Sequence, residues 1–319
     1  MKLSQALDKF HTVFSCGPIE TRLRFECGIK QPAWELMGTP AEAALKRIFA
    51  QDIQAAQAAN VPILLPATTF RASRHHLPAT VSVEEVNLAS LKFVTTLQKE
   101  LDSPTNHSII TSAAIGSMYN AYSADKIPTM AEAALYHQEQ VRILSTSNID
   151  LINAATMPSF NEAIGVALAL MHNTDKEYSV GFILNEEGLL LDGTSLGDAI
   201  KKIDEATAIQ PPLGYMVYCT HPSILQKLDP TMIPPFRLLG IRGNASTLSL
   251  SARDQLTSAV GGEPELFAHL LMQLKKKFGL RILGGCCGTS VEHLKAIIKS
   301  QQELKEGVLP CRSAQRPKK

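Results

Sequence analysis

The sequence predicts a single (β/α)₈ barrel, and three observations carry that prediction. Eight short apolar runs alternate with longer segments whose apolar residues recur at helical spacing. This alternation is typical of βα units around a parallel sheet, and eight units in 319 residues favour a closed barrel over a doubly wound sheet. No internal repeat or break in composition divides the chain. We therefore expect one domain over residues 1–308 and a basic tail over 309–319.

The predicted strands are the apolar runs, in chain order 11–15, 62–66, 108–113, 149–154, 178–184, 213–218, 236–241 and 280–283. The predicted helices between them include 40–59, 84–101, 129–146, 160–172 and 264–278. In a barrel of this kind, functional residues lie on the loops after the carboxyl ends of the strands. The residues that directly follow each run are therefore the candidates for a site.

Composition argues against several classes of function. The formal charge is +1 with acidic and basic residues intermixed, so nothing indicates binding to nucleic acid or to a membrane surface. No run approaches the roughly 18 apolar residues of a membrane-spanning helix, and the first residues are too polar for a secretory signal. We expect a cytoplasmic protein in which the six cysteines bind metal or react. The sequence leaves a homo-oligomer open.

The most informative stretch is Gly-Gly-Cys-Cys-Gly-Thr-Ser at 284–290, after the last predicted strand. Side chains alternate along a regular strand, so Cys286 and Cys287 can converge on one object only where the strand has ended and turned. The surrounding glycines permit that turn, and Thr289 is placed to cap the next helix. The alternatives are two buried free thiols or a strained disulfide between neighbours.

A third thiol, Cys219, follows the sixth predicted strand and therefore lies on the same rim of the barrel. Three thiolates leave a tetrahedral Zn²⁺ with one open position, as a catalytic site requires. A further sulfur bound there as thiolate stays nucleophilic at neutral pH. We therefore predict that Cys219, Cys286 and Cys287 bind zinc, and that a small-molecule thiol takes a methyl group from an onium donor.

These motifs resemble the homocysteine S-methyltransferase family, whose zinc barrels carry Asn-Cys after strand six and Gly-Gly-Cys-Cys-Gly-Thr after strand eight. The second motif is matched fully at 284–289 and the first is half matched at Cys219. The resemblance covers nearly the whole chain, and it implies zinc-dependent transfer of a methyl group to homocysteine, giving methionine. It also implies that the three cysteines are the zinc ligands. The substrate contacts indicated by matching positions are Gly17, Thr21, Thr156 and Asn244.

The chain departs from the family where homocysteine would be held. The Asp of the family's first loop is Cys16, and the acid that follows the motif's Thr is Arg22. The Glu that the resemblance implies for the amino group of homocysteine is Ala155. In the loop after strand seven, Arg242 stands in a changed motif. The zinc ligands are kept, but most of the acidic clamp is not.

These departures leave alternatives for single residues and for function. Cys16 is an apolar filler, a fourth zinc ligand or a reactive thiol. Arg22, Arg71 and Arg242 all follow strand ends and together form a candidate pocket for an anion. Glu20 either supplies a negative charge in place of the missing acids or is a solvated loop carboxylate. The alternatives to homocysteine methylation are a methyltransferase for a non-amino-acid thiol and a non-catalytic zinc-binding or sensing protein.

Overall fold

Eight parallel strands close into one barrel in the computed structural model, which describes residues 1–102, 108–256, 258 and 260–305. Each strand pairs with the next in the chain, and β8 pairs with β1 through Phe14 opposite Leu283. This closure confirms the predicted (β/α)₈ barrel. The basic tail expected over 309–319 lies outside the described residues. The strands are β1 Val13–Ser15, β2 Ile63–Ala67, β3 Ile109–Ile115, β4 Leu151–Met157, β5 Glu177–Phe182, β6 Gly214–Tyr218, β7 Leu238–Gly243 and β8 Ile282–Gly285.

Helices surround the barrel and connect its strands. They are α1 Leu3–Phe10, α2 Ile19–Glu26, α3 Glu42–Ala58, α4 Val83–Leu101, α5 Met130–Ser145, α6 Phe160–Asn173, α7 Leu196–Ala206, α8 Pro222–Gln226, α9 Leu250–Asp254, α10 Pro264–Phe278 and α11 Val291–Lys305. The five predicted helices correspond to α3, α4, α5, α6 and α10. Hydroxyl side chains begin several of them: Ser82, Thr129 and Ser159 each accept a backbone hydrogen bond from the first turn. Among the described residues, no helix has the length and apolar character needed to cross a bilayer.

The core has two parts, which together decide where a site can form. Outward-facing strand residues pack against the helices, and inward-facing residues such as Leu64, Ile110 and Met216 fill the barrel. The apolar face of α1, which the sequence pattern did not predict, joins this interior cluster through Leu3 and Leu7. A cavity extends inward from the carboxyl ends of the strands.

Candidate metal centre and substrate cavity

Three cysteine side chains meet at the carboxyl-terminal rim of the barrel. Cys219 follows β6, Cys286 and Cys287 follow β8, and their Sγ atoms all lie within 4.8 Å of one another. Zn–S bonds of about 2.3 Å in tetrahedral geometry separate the sulfur atoms by about 3.8 Å. Small side-chain shifts therefore allow the three sulfurs to hold a zinc ion between them.

The backbone at Cys219 is held in an uncommon conformation. Its φ is +50°, in the left-handed region that residues with a side chain seldom adopt. The N–H of Cys219 donates to the carbonyl of Arg242 at 2.9 Å, and the guanidinium of Arg253 donates to the carbonyl of Cys219. These bonds hold the turn that directs the Cys219 sulfur toward the end of β8.

A compact turn after β8 positions the other two cysteines. Gly288 adopts a φ of +83°, and a Cβ there would lie 2.3 Å from the carbonyl oxygen of Val260, so the position requires glycine. The Thr289 hydroxyl donates to the carbonyl of Cys286 at 2.8 Å. Because Thr289 closes this turn and α11 begins only at Val291, the prediction that Thr289 caps the helix is wrong.

Polar side chains contact two of the three sulfurs. The Tyr122 hydroxyl lies 2.9 Å from Cys219 Sγ and 3.9 Å from Cys287 Sγ. Asn244 Nδ2 donates to Cys219 Sγ at 3.3 Å, and Thr21 Oγ1 donates to Cys287 Sγ at 3.3 Å. Such contacts stabilise negative charge on sulfur and orient the ligands of a metal.

The three thiol groups hydrogen-bond to one another, and these bonds shift their pKa values in different directions. Hydrogen bonds from Cys286 and Cys287 hold the pKa of Cys219 well below its usual value. The bond to Cys219 raises the pKa of Cys286 well above that of an ordinary thiol, and it raises the pKa of Cys287 to about 11. Burial raises the pKa of Tyr122, which keeps its hydroxyl neutral. A bound divalent cation favours the thiolate form of all three cysteines.

A cavity of about 430 Å³ connects these sulfurs with solvent. Its volume suits a small molecule. Its wall includes the rings of Phe25, Phe70, Tyr119, Tyr122 and Tyr218, and aromatic rings can attract a cationic group. The substrate-contact residues expected from the sequence that line this cavity are Gly17, Thr21, Ala155, Thr156, Arg242 and Asn244.

Arg242 ties the loop after β1 to the end of β7. Its Nη2 donates to the carbonyl of Cys16 at 2.8 Å and to the carbonyl of Gly17 at 3.1 Å. Its guanidinium also lies 5.8 Å from the centre of the Tyr218 ring. Arg242 therefore supports the cavity wall and borders the space that a substrate would occupy.

Cys16 lies away from the cavity and from the three sulfurs. Its side chain is fully buried in the apolar layer between the barrel and the helices. Burial raises the pKa of Cys16 well above its usual value, so the group stays a thiol. The structure places Cys16 as an apolar filler and does not place it against a metal or a substrate.

Arg22 is also absent from the cavity lining, contrary to the predicted anion pocket. Its Nη1 lies 2.9 Å from Asp52 Oδ1 and its Nε lies 2.8 Å from Glu26 Oε1. The anion pocket that includes Arg22 is therefore wrong, because this guanidinium is already paired in the protein. Arg71 and Arg242 do line the cavity.

Two residues at the centre were not among the sequence candidates. Tyr122 lies on the loop after β3, where its only signal in the sequence is that it follows the carboxyl end of a predicted strand. Arg253 lies on α9, and its guanidinium is 5.8 Å from the centre of the Tyr122 ring. No local sequence signal indicates that Arg253 contacts Cys219.

The fold and the three sulfurs define a class of protein, namely a (β/α)₈ barrel with a candidate zinc site at the carboxyl ends of its strands. The family model described as homocysteine S-methyltransferase matches residues 17–300. The chain therefore belongs to the homocysteine S-methyltransferase family.

Similar proteins agree with this assignment. Homocysteine S-methyltransferase 2 of Arabidopsis thaliana is 24% identical over 189 residues, which are 58% of this chain and 54% of the relative. The match thus spans about half the length of that protein. The metallated form of the homocysteine methyltransferase MmuM from Escherichia coli superposes with a TM-score of 0.72 at 18% identity, over 93% of this chain and 99% of that chain. Its apo form superposes with a TM-score of 0.65 at 18% identity, over 92% of this chain and 97% of that chain. These structures share the fold.

Proposed function

We propose that the protein is a zinc-dependent S-methyltransferase that moves a methyl group from a sulfonium or ammonium donor to homocysteine, giving methionine. The observation that carries the proposal is the group of Cys219, Cys286 and Cys287 sulfurs within 4.8 Å of one another beside a cavity. Membership of the family supports homocysteine as the acceptor. A site built from free thiols also favours a reducing compartment such as the cytoplasm.

The three cysteines would bind zinc as thiolates. When bound there, zinc supplies the Lewis acidity that keeps an acceptor thiol deprotonated at neutral pH. Tyr122 and Asn244 hydrogen-bond to Cys219 and spread part of its negative charge. These side chains thereby hold the ligand sulfurs in place and leave the cavity side of the centre to the acceptor.

The cavity walls would orient the methyl donor. The aromatic ring of Phe70 in this wall suits a positively charged sulfonium or ammonium group. The acceptor sulfur uses a lone pair to form the new S–CH₃ bond while the donor's C–S⁺ or C–N⁺ bond breaks. The donor leaves as a neutral thioether or amine, so its own charge makes it a good leaving group.

Methyl transfer by the zinc-loaded protein tests the proposal directly. Homocysteine is incubated with S-methylmethionine, S-adenosylmethionine or betaine, and methionine is measured by mass spectrometry. We expect methionine from at least one donor and none from the Cys286→Ser variant. Absence of methionine with all onium donors tested would contradict the proposed activity.

Zinc K-edge absorption separates an enzyme from a non-catalytic binder. We expect three sulfur neighbours in the zinc-loaded protein and four after homocysteine is added. The position of Cys16 outside the thiol group supports an open site. A site with four sulfurs before homocysteine is added, unchanged by it, would contradict a catalytic role.

A further inference from the structure

We propose that Glu20 binds the α-ammonium group of an amino-acid acceptor and that Arg71 binds its carboxylate, so that these residues replace the acidic clamp missing at Ala155. This inference rests on the proposed function, since it concerns the acceptor of the same site. It assigns the recognition of an amino acid to residues that the family motifs do not supply.

Glu20 lies next to a residue that contacts the candidate metal centre. It lies on α2 beside Thr21, whose Oγ1 is 3.3 Å from Cys287 Sγ. Consecutive Cα atoms are about 3.8 Å apart, and both side chains line the cavity. An acceptor whose sulfur lies beside Cys287 can therefore extend its amino group toward Glu20.

The Glu20 carboxylate is held on one side and free on the other. Its Oε1 accepts the backbone N–H of Ala33 at 3.0 Å. Within the described part of the chain, its second oxygen has no donor, and the side chain is exposed to the cavity. Surrounding protein raises the pKa of Glu20, whereas the Ala33 N–H and Arg71 act in the opposite direction. A positioned carboxylate that forms no ion pair with a described residue suits an ammonium group, which donates strong hydrogen bonds to it.

Arg71 supplies the opposite charge in the same cavity. It follows β2, its side chain is exposed, and none of the described residues forms a hydrogen bond or an ion pair with it. Its charge is near enough to lower the pKa of Glu20, although no ion pair joins the two side chains. Two unpaired charges of opposite sign facing one cavity match an α-amino acid, which carries both counter-charges on one carbon.

The cavity lining contains charged residues besides Glu20 and Arg71. The cavity lining also includes Asp254, whose Oδ2 accepts a hydrogen bond from Asn120 Nδ2 at 2.9 Å. Arg24 and Lys30 line the rim and add positive charge. Glu20 and Asp254 each accept one hydrogen bond from a neutral donor, but Glu20 adjoins Thr21, whose Oγ1 contacts Cys287 Sγ. Glu20 is therefore the cavity carboxylate placed to meet the ammonium group of an acceptor whose sulfur lies beside Cys287.

Calorimetric titration of the zinc-loaded protein without a methyl donor tests the inference. The ligands are homocysteine and its des-amino analogue 4-mercaptobutanoate, which keeps the thiol and the carboxylate. We expect the natural protein to prefer homocysteine by about tenfold to a hundredfold, the usual range for one charge-assisted hydrogen bond. Glu20→Gln should remove this preference by weakening only homocysteine binding. Arg71→Gln should weaken the binding of both ligands, because each carries the carboxylate. Equal affinities in the natural protein, or equal losses in Glu20→Gln, would overturn the assignment.

Two further variants sharpen this test. Glu35→Gln is the matched control, because Glu35 is exposed near Glu20 but does not line the cavity, and both affinities should stay unchanged. Adding Ala155→Glu to Glu20→Gln should restore the preference for homocysteine, since both positions line the same cavity.

Binding and methyl transfer separate this inference from the proposed function. Amino-dependent thiol binding without methyl transfer would contradict the activity and support the Glu20 assignment. Methyl transfer to homocysteine with equal affinity for 4-mercaptobutanoate would support the activity and overturn the assignment.

Discussion

Asp52 Oδ1 and Arg22 Nη1 lie 2.9 Å apart, and both side chains are buried behind the loop that follows β1. Asp52 Oδ2 also accepts the backbone N–H of Gly17 at 2.8 Å. Arg22 stands where the family resemblance implies an acid, and α3 supplies Asp52 as the partner of its positive charge. The ion pair therefore supports the wall of the substrate cavity.

Breaking this pair from one side should destabilise the protein strongly. Arg22→Met leaves the Asp52 carboxylate buried without its guanidinium, and we expect the free energy of unfolding to fall by about 3–5 kcal/mol. The double variant Arg22→Met/Asp52→Asn should lose less stability, because a neutral amide oxygen can still accept the Gly17 N–H. Urea denaturation at pH 7.5 measures the free energy of unfolding of the single and the double variant.

An exposed ion pair provides the control for this measurement. Lys46 and Glu100 lie 3.1 Å apart, but their side chains are 41% and 48% exposed, so Lys46→Met should cost at most about 1 kcal/mol. A single Arg22→Met variant as stable as the double variant would contradict the role assigned to the buried pair.

Each of the three rim cysteines should be required for metal binding. Cys219→Ser, Cys286→Ser and Cys287→Ser should each lose most of the zinc, because the ion would keep only two sulfur ligands. Cys27→Ser and Cys16→Ala are controls that should keep it, since neither sulfur belongs to the group of three. Zinc is measured by mass spectrometry after gel filtration. Near-stoichiometric zinc in Cys286→Ser would refute the ligand assignment.

Removal of the metal should leave the barrel folded. The apolar core surrounds the whole barrel and does not depend on the rim cysteines, unlike the core of a zinc finger. We expect the far-ultraviolet circular dichroism to be retained after chelation, with a modest fall in Tm. Loss of the helical signal at 25 °C would show that zinc is needed for the fold.

The Tyr122 hydroxyl should strengthen zinc binding. It lies 2.9 Å from Cys219 Sγ, and loss of such a contact to a metal ligand typically weakens metal affinity by about 10–100-fold. Tyr122→Phe should therefore bind zinc less tightly in competition with a chromogenic chelator. Tyr119→Phe removes a hydroxyl from the same cavity without touching a described sulfur and should bind zinc normally. Equal affinities in the two variants would exclude this role for Tyr122.

His293 should make stability depend on pH. Its Nδ1 accepts the N–H of Ser290 at 3.2 Å, its Nε2 lies 3.0 Å from the carbonyl oxygen of Gly262, and burial lowers its pKa from the ordinary value of 6.5. As pH falls below 6.5, the unfolded chain takes up the proton before the folded chain does. The contribution of His293 to stability is thus complete above pH 6.5 and declines as pH falls toward the folded-state pKa.

Replacing His293 isolates this effect from other titrating groups. His293→Gln should show a smaller fall in Tm between pH 7.5 and 5.5 than the natural protein. His172→Gln, at an exposed histidine, should keep the natural pH dependence. The same fall in Tm for all three proteins would rule out His293 as a source of the effect.

The barrel and the sulfur group were predictable because their signals are local. Apolar runs and helical periods identified eight βα units, and the order of parallel strands put the residues after β6 and β8 on one rim. Each predicted strand overlaps an observed one. The adjacent pair Cys286 and Cys287 required a turn for simple steric reasons, and the structure contains that turn.

The remaining features depend on directions and partners that a local pattern does not specify. Ser15 lines the cavity whereas Cys16 faces the helices, and only the observed strand end shows which residue points inward. The acid that pairs with Arg22 comes from α3, and Arg253 reaches Cys219 from α9. These contacts arise from tertiary packing between residues far apart in sequence.

The three proposed zinc ligands are divided between the ends of β6 and β8, and this division limits when a metal site can form during synthesis. A nascent chain carries Cys219 through the translation of β7 and α10 before Cys286 and Cys287 exist. Until the residues after β8 have been synthesised, the chain carries one of the three proposed ligands and cannot form the three-sulfur site. Zinc loading through these three sulfurs would therefore be a late step in the synthesis of the protein.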